Sequence, residues 1–274
     1  MRAFRVAYDG TGYRGFQRQP HGETVEDALL DALARLDAYD AADADTPPGY
    51  AAAGRTDAGV SAVAQTVAFE APDWLAPRAF DAELPADVRA YASADAPDGF
   101  HATHDAVRRR YEYHLHAPEA DDAAAREALG RLAGTHDFHN LTPDDGGTER
   151  ELSTDLDREG SFLRLGFAAG GFPRAFVRRA VALVAAVAAG DRDPAFVDRV
   201  LAAEPLAGPD GIGAAAPEPL VLVAVEYDPA LDLAFRLDDE AAASAWTAFE
   251  RARVERETGA RVAAQLRTGA SRDP

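Results

Sequence analysis

The order of strand-like and helix-like segments constrains this chain most, because that order begins, completes and then starts again. Residues 4–8 alternate Phe4, Val6 and Tyr8 with Arg5 and Ala7, the period of a strand. "TVEDALLDALARL" at 24–36 sets Val25, Leu29, Leu33 and Leu36 along one helix face, with Thr24 and Asp27 spaced as a capping box. A loop rich in Ala, Asp and Pro at 38–50 leads to a strand at 62–71, a short helix at 75–84 and a strand at 87–95. This stretch reads β-α-β-α-β. Near residue 98 the order restarts, with a strand at 108–116 and a helix at 121–134. A loop region at 142–160 follows, then a strand at 161–170. Helices at 173–190 and 193–204 and a strand at 219–228 complete the second unit. Two α/β sandwiches with a cleft where they meet are the economical architecture. The expected units are 1–98, 99–230 and a helical extension at 231–274, helical over 240–267 and disordered over the last seven residues.

The chain has 274 residues, 47% of them apolar, enough for one large or two medium cores. Its richest apolar run, "AVALVAAVAAG" at 180–190, falls short of the roughly 18 residues that a membrane span needs. The start, "MRAFRVAYDG", reads as a strand without the apolar region of a signal peptide, so a soluble cytoplasmic protein is expected. The absence of cysteine excludes disulfides and thiolate metal sites. Net charge is −19, and all 28 basic residues are Arg. An acidic, Lys-free surface suits a molar-salt cytoplasm, where self-repulsion is screened within about 3 Å. In that setting the overall charge no longer argues against a polyanionic partner, and local basic clusters decide.

"GTGYRG" at 10–15 matches the glycine pattern of a dinucleotide loop, but no helix opens directly after it, so pyrophosphate would lack its helix N-terminus. Tyr13, Arg14, Phe16, Gln17 and Arg18 form instead either a solvated turn or an RNA-contacting loop with phosphate donors and an aromatic. The pairs His101/His104, His114/His116 and His136/His139 lack the spacing context of a metal site and are expected on strand faces or loops. "RRRYEY" at 108–113 concentrates Arg108, Arg109 and Arg110, as a guarded edge strand or an anion contact. Arg174, Arg178 and Arg179 fall in the first two turns of the helix read from Pro173. Arg178 sits among apolar neighbours, so it needs an anionic partner, either Asp57 or RNA. In "GRTDAGV" an Asp bounded by glycines is ordinarily a turn or a cap. Its surroundings lack the second copy of an aspartic protease and the second carboxylate of a glycosidase. Arg55, two residues before Asp57, is expected to hold that carboxylate ionised, as suits a nucleophile.

In colinear order over residues 4–228, the chain resembles the tRNA pseudouridine synthase A family. The elements that carry the resemblance are "YDGTGYRGFQRQ", "AGRTDAGVSAVAQ", "DGFHATHDAVRRRYEYHL", "GTHDF", "FPRAFVRRAV" and "APEPLVLVAVEY". The resemblance implies an α+β fold of two ferredoxin/RNP-like sandwiches, their sheets joined into one extended antiparallel or mixed sheet with a central RNA-binding cleft. It implies Asp57 as nucleophile, Arg55 and Arg178 beside it, and Tyr111 packed on the target base. Arg108, Arg109, Gln17, Arg18 and Tyr13 are the expected RNA contacts. It further implies a cofactor- and metal-free homodimer that isomerises uridines at positions 38 to 40 of tRNA after flipping them out of the helix. Synthases acting at other tRNA positions and a catalytically silent tRNA-folding chaperone are the alternatives. The family commonly has His where this chain has Ser61, and the extension after 230 lies outside the resemblance.

Overall fold

The computed structural model describes residues 1–206 and 208–270. Strand β1 (Arg2–Tyr8) is followed by helix α1 (Val25–Arg35), the short strand β2 (Ala51–Ala52) and strand β3 (Ser61–Phe69). Helix α2 (Pro77–Glu83), strand β4 (Val88–Asp95), strand β5 (Ala106–His116) and helix α3 (Asp122–Leu132) come next. Strands β6 (Gly134–Asp137), β7 (Glu149–Glu159) and β8 (Phe162–Ala169) lead to helices α4 (Phe176–Ala188) and α5 (Phe196–Val200). Strands β9 (Leu220–Tyr227) and β10 (Arg236–Leu237) and the long helix α6 (Asp239–Ala270) end the chain.

Among the described residues, ten strands form one mixed sheet in the order β10-β4-β1-β3-β9-β5-β8-β7-β6, with β2 paired to β3. Its α+β class agrees with the expectation from sequence. The capping box of α1 is formed: Thr24 Oγ1 accepts the Asp27 N–H at 3.2 Å, and Asp27 Oδ2 accepts the Thr24 N–H at 3.1 Å. Leu29, Leu30 and Leu33 are buried beneath it. Phe4 anchors the core there, stacked on Phe69 at 5.3 Å and edge-on to Phe80 at 5.5 Å. A second aromatic contact, Phe138 on Phe176 at 4.8 Å, packs the start of α4.

Several sequence boundaries shift. The segment 142–160 holds strand β7, whose Leu152 is buried and Leu156 half-buried while Glu149, Glu151, Asp155, Asp157 and Glu159 occupy alternate positions on the other face. Helix α4 begins at Phe176 rather than Pro173, because Ala175 takes a left-handed conformation with φ of 56°. Arg174 therefore precedes the helix, and α5 is shorter than the expected 193–204. Residues 268–270, expected disordered, continue α6, and 271–274 lie outside the described residues.

Among the described residues, strands β3 and β9 form the only parallel pair, and they touch over just two positions, Ser61↔Val221 and Ala62↔Leu222. Beyond them the strands part, and Arg5 of β1 spans the fork. Its guanidinium donates to Ala64 O (3.1 Å) and Thr66 Oγ1 (2.8 Å) on β3 and to Val225 O (2.8 Å) on β9, while Phe235 covers it at 4.2 Å. A lysine has its three donors on one nitrogen and lacks the two separate Nη atoms that Arg5 places against the two strands. Arg5→Lys and Arg5→Ala are both expected to lose about 2–4 kcal/mol, read from urea denaturation in molar KCl. An unchanged midpoint for Arg5→Lys would show that bridging the fork contributes nothing.

Candidate active site

The joint between β3 and β9 determines what meets in the cleft. Ala62 and Tyr111 both pair with Leu222, one from each side. The loop entering β3 and the Tyr111 ring of β5 are thus about two strand spacings apart, roughly 10 Å. That loop, residues 53–60, carries Asp57. The Asp57 carbonyl accepts the Val60 N–H at 3.1 Å, closing a turn whose third residue, Gly59, has φ of 83°. Type II turns reserve that position for glycine.

The loop is held at nearly every residue. Arg109, buried at 8% exposure, donates to Ala53 O (2.8 Å), Thr103 O (2.6 Å) and Gly170 O (2.5 Å). The fully buried Gln65 amide pairs both groups of Gly54, giving Nε2 to its carbonyl at 2.7 Å and taking its N–H on Oε1 at 3.1 Å. Tyr8 OH and Thr56 Oγ1 share a hydrogen bond of 2.8 Å. From the loop after β1, Phe16 N–H donates to Thr56 O at 3.0 Å, and Tyr13 O accepts the Gly59 N–H at 3.2 Å. Gly10 lies against Val60 so closely that a Cβ would sit 2.0 Å from the Val60 carbonyl oxygen. The small residues thus let two loops share backbone hydrogen bonds beneath the carboxylate.

Arg178, in the first turn of α4, donates from Nη1 to Asp57 Oδ2 at 3.1 Å. Its Nε is fixed by Ala215 O at 2.7 Å, so the guanidinium is aimed before any ligand arrives. Both side chains are partly buried. Tyr111 packs edge-on against Phe172 at 5.3 Å. Burial pushes its hydroxyl up to about 12, with Arg109 opposing and the Asp57 charge adding. The cleft encloses about 650 Å³, and its lining includes four arginines (Arg14, Arg55, Arg174 and Arg178) but only one carboxylate, Asp57. Arg14 is paired with Glu23, Arg174 with Asp144 and Arg178 with Asp57, which leaves Arg55 as the cleft arginine without an ion pair among the described residues.

The residues singled out from sequence separate into two groups. Asp57, Arg55, Arg178, Tyr111 and Gln17 line the cleft. Arg55 is exposed there and makes no ion pair with Asp57, whose partner is Arg178. Tyr13, Arg18, Arg108 and Arg109 do not line it. Tyr13 OH donates to Asp87 Oδ1 at 2.8 Å, and Arg18 is paired with Asp27 at 2.8 Å. Arg109 is the carbonyl clamp described above. Arg108 faces a separate hollow with Glu149 and Arg150. Mutual repulsion in "RRRYEY" does not require an external anion, because Arg110 is paired with Asp155 and Glu112. Sequence reasoning missed Gln65 and Phe172, whose roles depend on contacts that no local pattern announces. The histidines show no metal arrangement: His101 Nδ1 accepts the Thr103 N–H at 3.2 Å, and among the described residues no three His, Cys, Asp or Glu cluster to hold an ion.

A family model described as tRNA pseudouridine synthase matches residues 128–228, which include Arg178 but not Asp57. A tRNA pseudouridine synthase A of Natronomonas pharaonis is 62% identical over 268 residues, covering 97% of this chain and 98% of its own. The chain belongs to the tRNA pseudouridine synthase A family. A second member, from Haloarcula marismortui, is 53% identical over 98% of this chain and 100% of its own length. The solved structure titled as a Cbf5-Nop10-Gar1 complex matches with a TM-score of 0.36 at 11% identity over 68% of this chain and 44% of its own, too slight a likeness to bear on function.

The enzyme is therefore a tRNA pseudouridine synthase, an isomerase of halophilic archaeal kind. No helix among the described residues is long and apolar enough to cross a membrane. In this synthase Ser61 accepts the Gly10 N–H on its Oγ at 3.0 Å and so ties the two loops together.

Arg109→Lys is expected to lower kcat about 100-fold, since loop displacements of an ångström carry that cost, while tRNA affinity stays within a few-fold. A fall in affinity with unchanged kcat would make Arg109 a substrate contact. Because folding raises the Tyr111 pKa, the neutral form is favoured in the native state, and its contribution to stability is whole below pH 10 and lost as pH rises towards about 12. Tyr111→Phe should flatten the alkaline fall of stability over that window, measured by denaturation at stepped pH. An identical fall in both proteins would contradict a buried, neutral phenol.

Proposed function

We propose that Asp57 is the nucleophile of the isomerisation, that the target uridines are those at positions 38 to 40 of the anticodon stem-loop, and that the enzyme acts as a homodimer. The observation that carries the catalytic part is the Asp57–Arg178 pair, set opposite Tyr111 in a cleft of four arginines. The position and the dimer rest on the family resemblance of the motifs.

A uridine turned out of its helix brings a flat base, a ribose and a phosphate. The base has Tyr111 and Phe172 as aromatic surfaces, and the phosphates have the unpaired guanidinium of Arg55. Helix α4 starts at the cleft with no side-chain cap, and its first N–H, that of Phe176, is taken by Pro173 O at 3.2 Å. The Asp57 carboxylate attacks at C1′ or at C6, and both routes release N1 from C1′. The freed uracil turns beneath Tyr111, C5 bonds to C1′, the carboxylate leaves, the C5 proton departs and N1 regains one. Arg178 orients the carboxylate for attack and for leaving. With its pKa near 12, Tyr111 is a neutral hydroxyl at neutral pH, so it covers the base rather than acting as a resting phenolate. No step requires redox chemistry or a group donor.

Asp57→Asn preserves shape and removes the charge. Release of tritium from tRNA labelled at uridine C5 should fall by at least about 1,000-fold, while the tRNA dissociation constant stays within about 3-fold of wild type. Turnover near the wild-type rate would move the nucleophile elsewhere. Carbodiimide mapping of the wild-type product reads the position, and pseudouridine outside 38 to 40 would overturn that part.

A further inference from the structure

Asp144 takes no part in the isomerisation, yet it holds a residue of the cleft wall. It stands in "TPDDGG" at 142–147, the connection that leads into β7. Two buried threonines fasten that connection at its ends. Thr142 Oγ1 donates to Arg174 O at 3.0 Å, and Thr148 Oγ1 donates to Asp137 Oδ1 at 2.6 Å. Among the described residues, Asp144 alone of 143–147 bonds to a distant part of the chain, and its partner is Arg174. The other four are exposed, and nothing lies within 4 Å of where a Cβ would stand on Gly146 or Gly147. The carboxylate can therefore leave Arg174 at the cost of that contact alone.

Both oxygens of Asp144 are engaged at Arg174. Oδ2 accepts the Arg174 N–H at 2.8 Å, and Oδ1 lies 3.4 Å from its Nε. That N–H has no helical partner, because α4 begins only at Phe176. A main-chain N–H and a guanidinium converging on two oxygens make an anion site, and Asp144 fills it. A phosphodiester presents the same pattern, two oxygens sharing one negative charge. Arg174 lines the cleft together with Asp57 and Tyr111, so RNA that delivers a uridine there brings the flanking phosphates to the same walls. The other paired arginines of the cleft differ. Arg14 gives its N–H to the Glu23 carbonyl, so only its guanidinium faces a carboxylate. Arg178 is fixed by Ala215 and serves Asp57. Arg174 is also 66% exposed, against 20% for Arg178, and an exposed pair is weak enough to exchange partners. Thr142 keeps the Arg174 carbonyl throughout, so the site holds its place when its occupant changes.

We propose that Asp144 is a stand-in for a phosphodiester, displaced when a tRNA phosphate beside the target nucleotide binds the Arg174 N–H and guanidinium. This rests on the uridine reacting in this cleft. Pseudouridine formation on tRNA is measured in molar KCl for wild type, Asp144→Asn, Arg174→Gln and the double variant. Asparagine keeps an oxygen for the Arg174 N–H and loses the charge that competes with phosphate. Asp144→Asn should lower KM about 3-fold, the scale of an exposed pair. Arg174→Gln should raise KM about 10-fold, and kcat should be unchanged in both. With Arg174→Gln already present, Asp144→Asn should leave KM within about 1.5-fold, because its effect passes through Arg174. Asp198→Asn removes a carboxylate paired with Arg131 outside the cleft lining and should leave KM at the wild-type value. An unchanged or raised KM for Asp144→Asn would overturn the proposal. So would a fall of the same size without Arg174, or one that Asp198→Asn reproduces, since either would be an effect of net charge. Wild-type turnover by Asp57→Asn in the same assay would instead strike the assignment of the cleft, a separate result.

Discussion

Leu222 stands between Ala62 and Tyr111, and the position of every group in the cleft follows from that register. The parallel pairing that sets it is only two residues long. So short a joint is weak by itself, and polar side chains reinforce it. Arg5 bridges the fork, and Arg109 ties Ala53, Thr103 and Gly170 to a single guanidinium. Slippage by one residue would turn Tyr111 to the opposite face of the sheet and empty the cleft of its aromatic wall.

These tasks explain why arginine serves so well in a chain without lysine. Arg5, Arg109 and Arg178 each make two or more directed hydrogen bonds to groups on different segments, which a planar fork allows and a point charge does not. At molar salt the reach of an exposed charge shrinks to about 3 Å. Recognition of RNA then depends on contact rather than on the field of the whole protein, so a net charge of −19 is compatible with a cleft lined by four arginines.

Much of the architecture was legible along the chain. Alternation in β1, β4 and β5 and the stripe and cap of α1 are local signals, and local hydrogen bonding and burial realise them. Strand β7 was hidden because its exposed face carries acids, and the start of α4 because nothing in "PRAF" announces a left-handed Ala175. At the site, "GRTDAGV" could be placed in a tight loop, but its pairing could not. Arg55 is two residues from Asp57 and makes no ion pair with it, whereas Arg178 is 121 residues away and holds it. Arg18 and Tyr13 carried the right chemistry for RNA, yet Asp27 and Asp87 had already claimed them. Side-chain partners that are distant in sequence are properties of the packed sheet.

The central claim is that a flipped uridine lies between Asp57 and Tyr111, with Arg178 behind the carboxylate. A crystal structure of the Asp57→Asn enzyme with unmodified tRNA measures this directly. The expected density shows the target uridine out of its helix, its base against the Tyr111 ring and its C1′ and C6 on the side of residue 57. A uridine still stacked in the helix, or a base seated outside this cleft, would contradict the account.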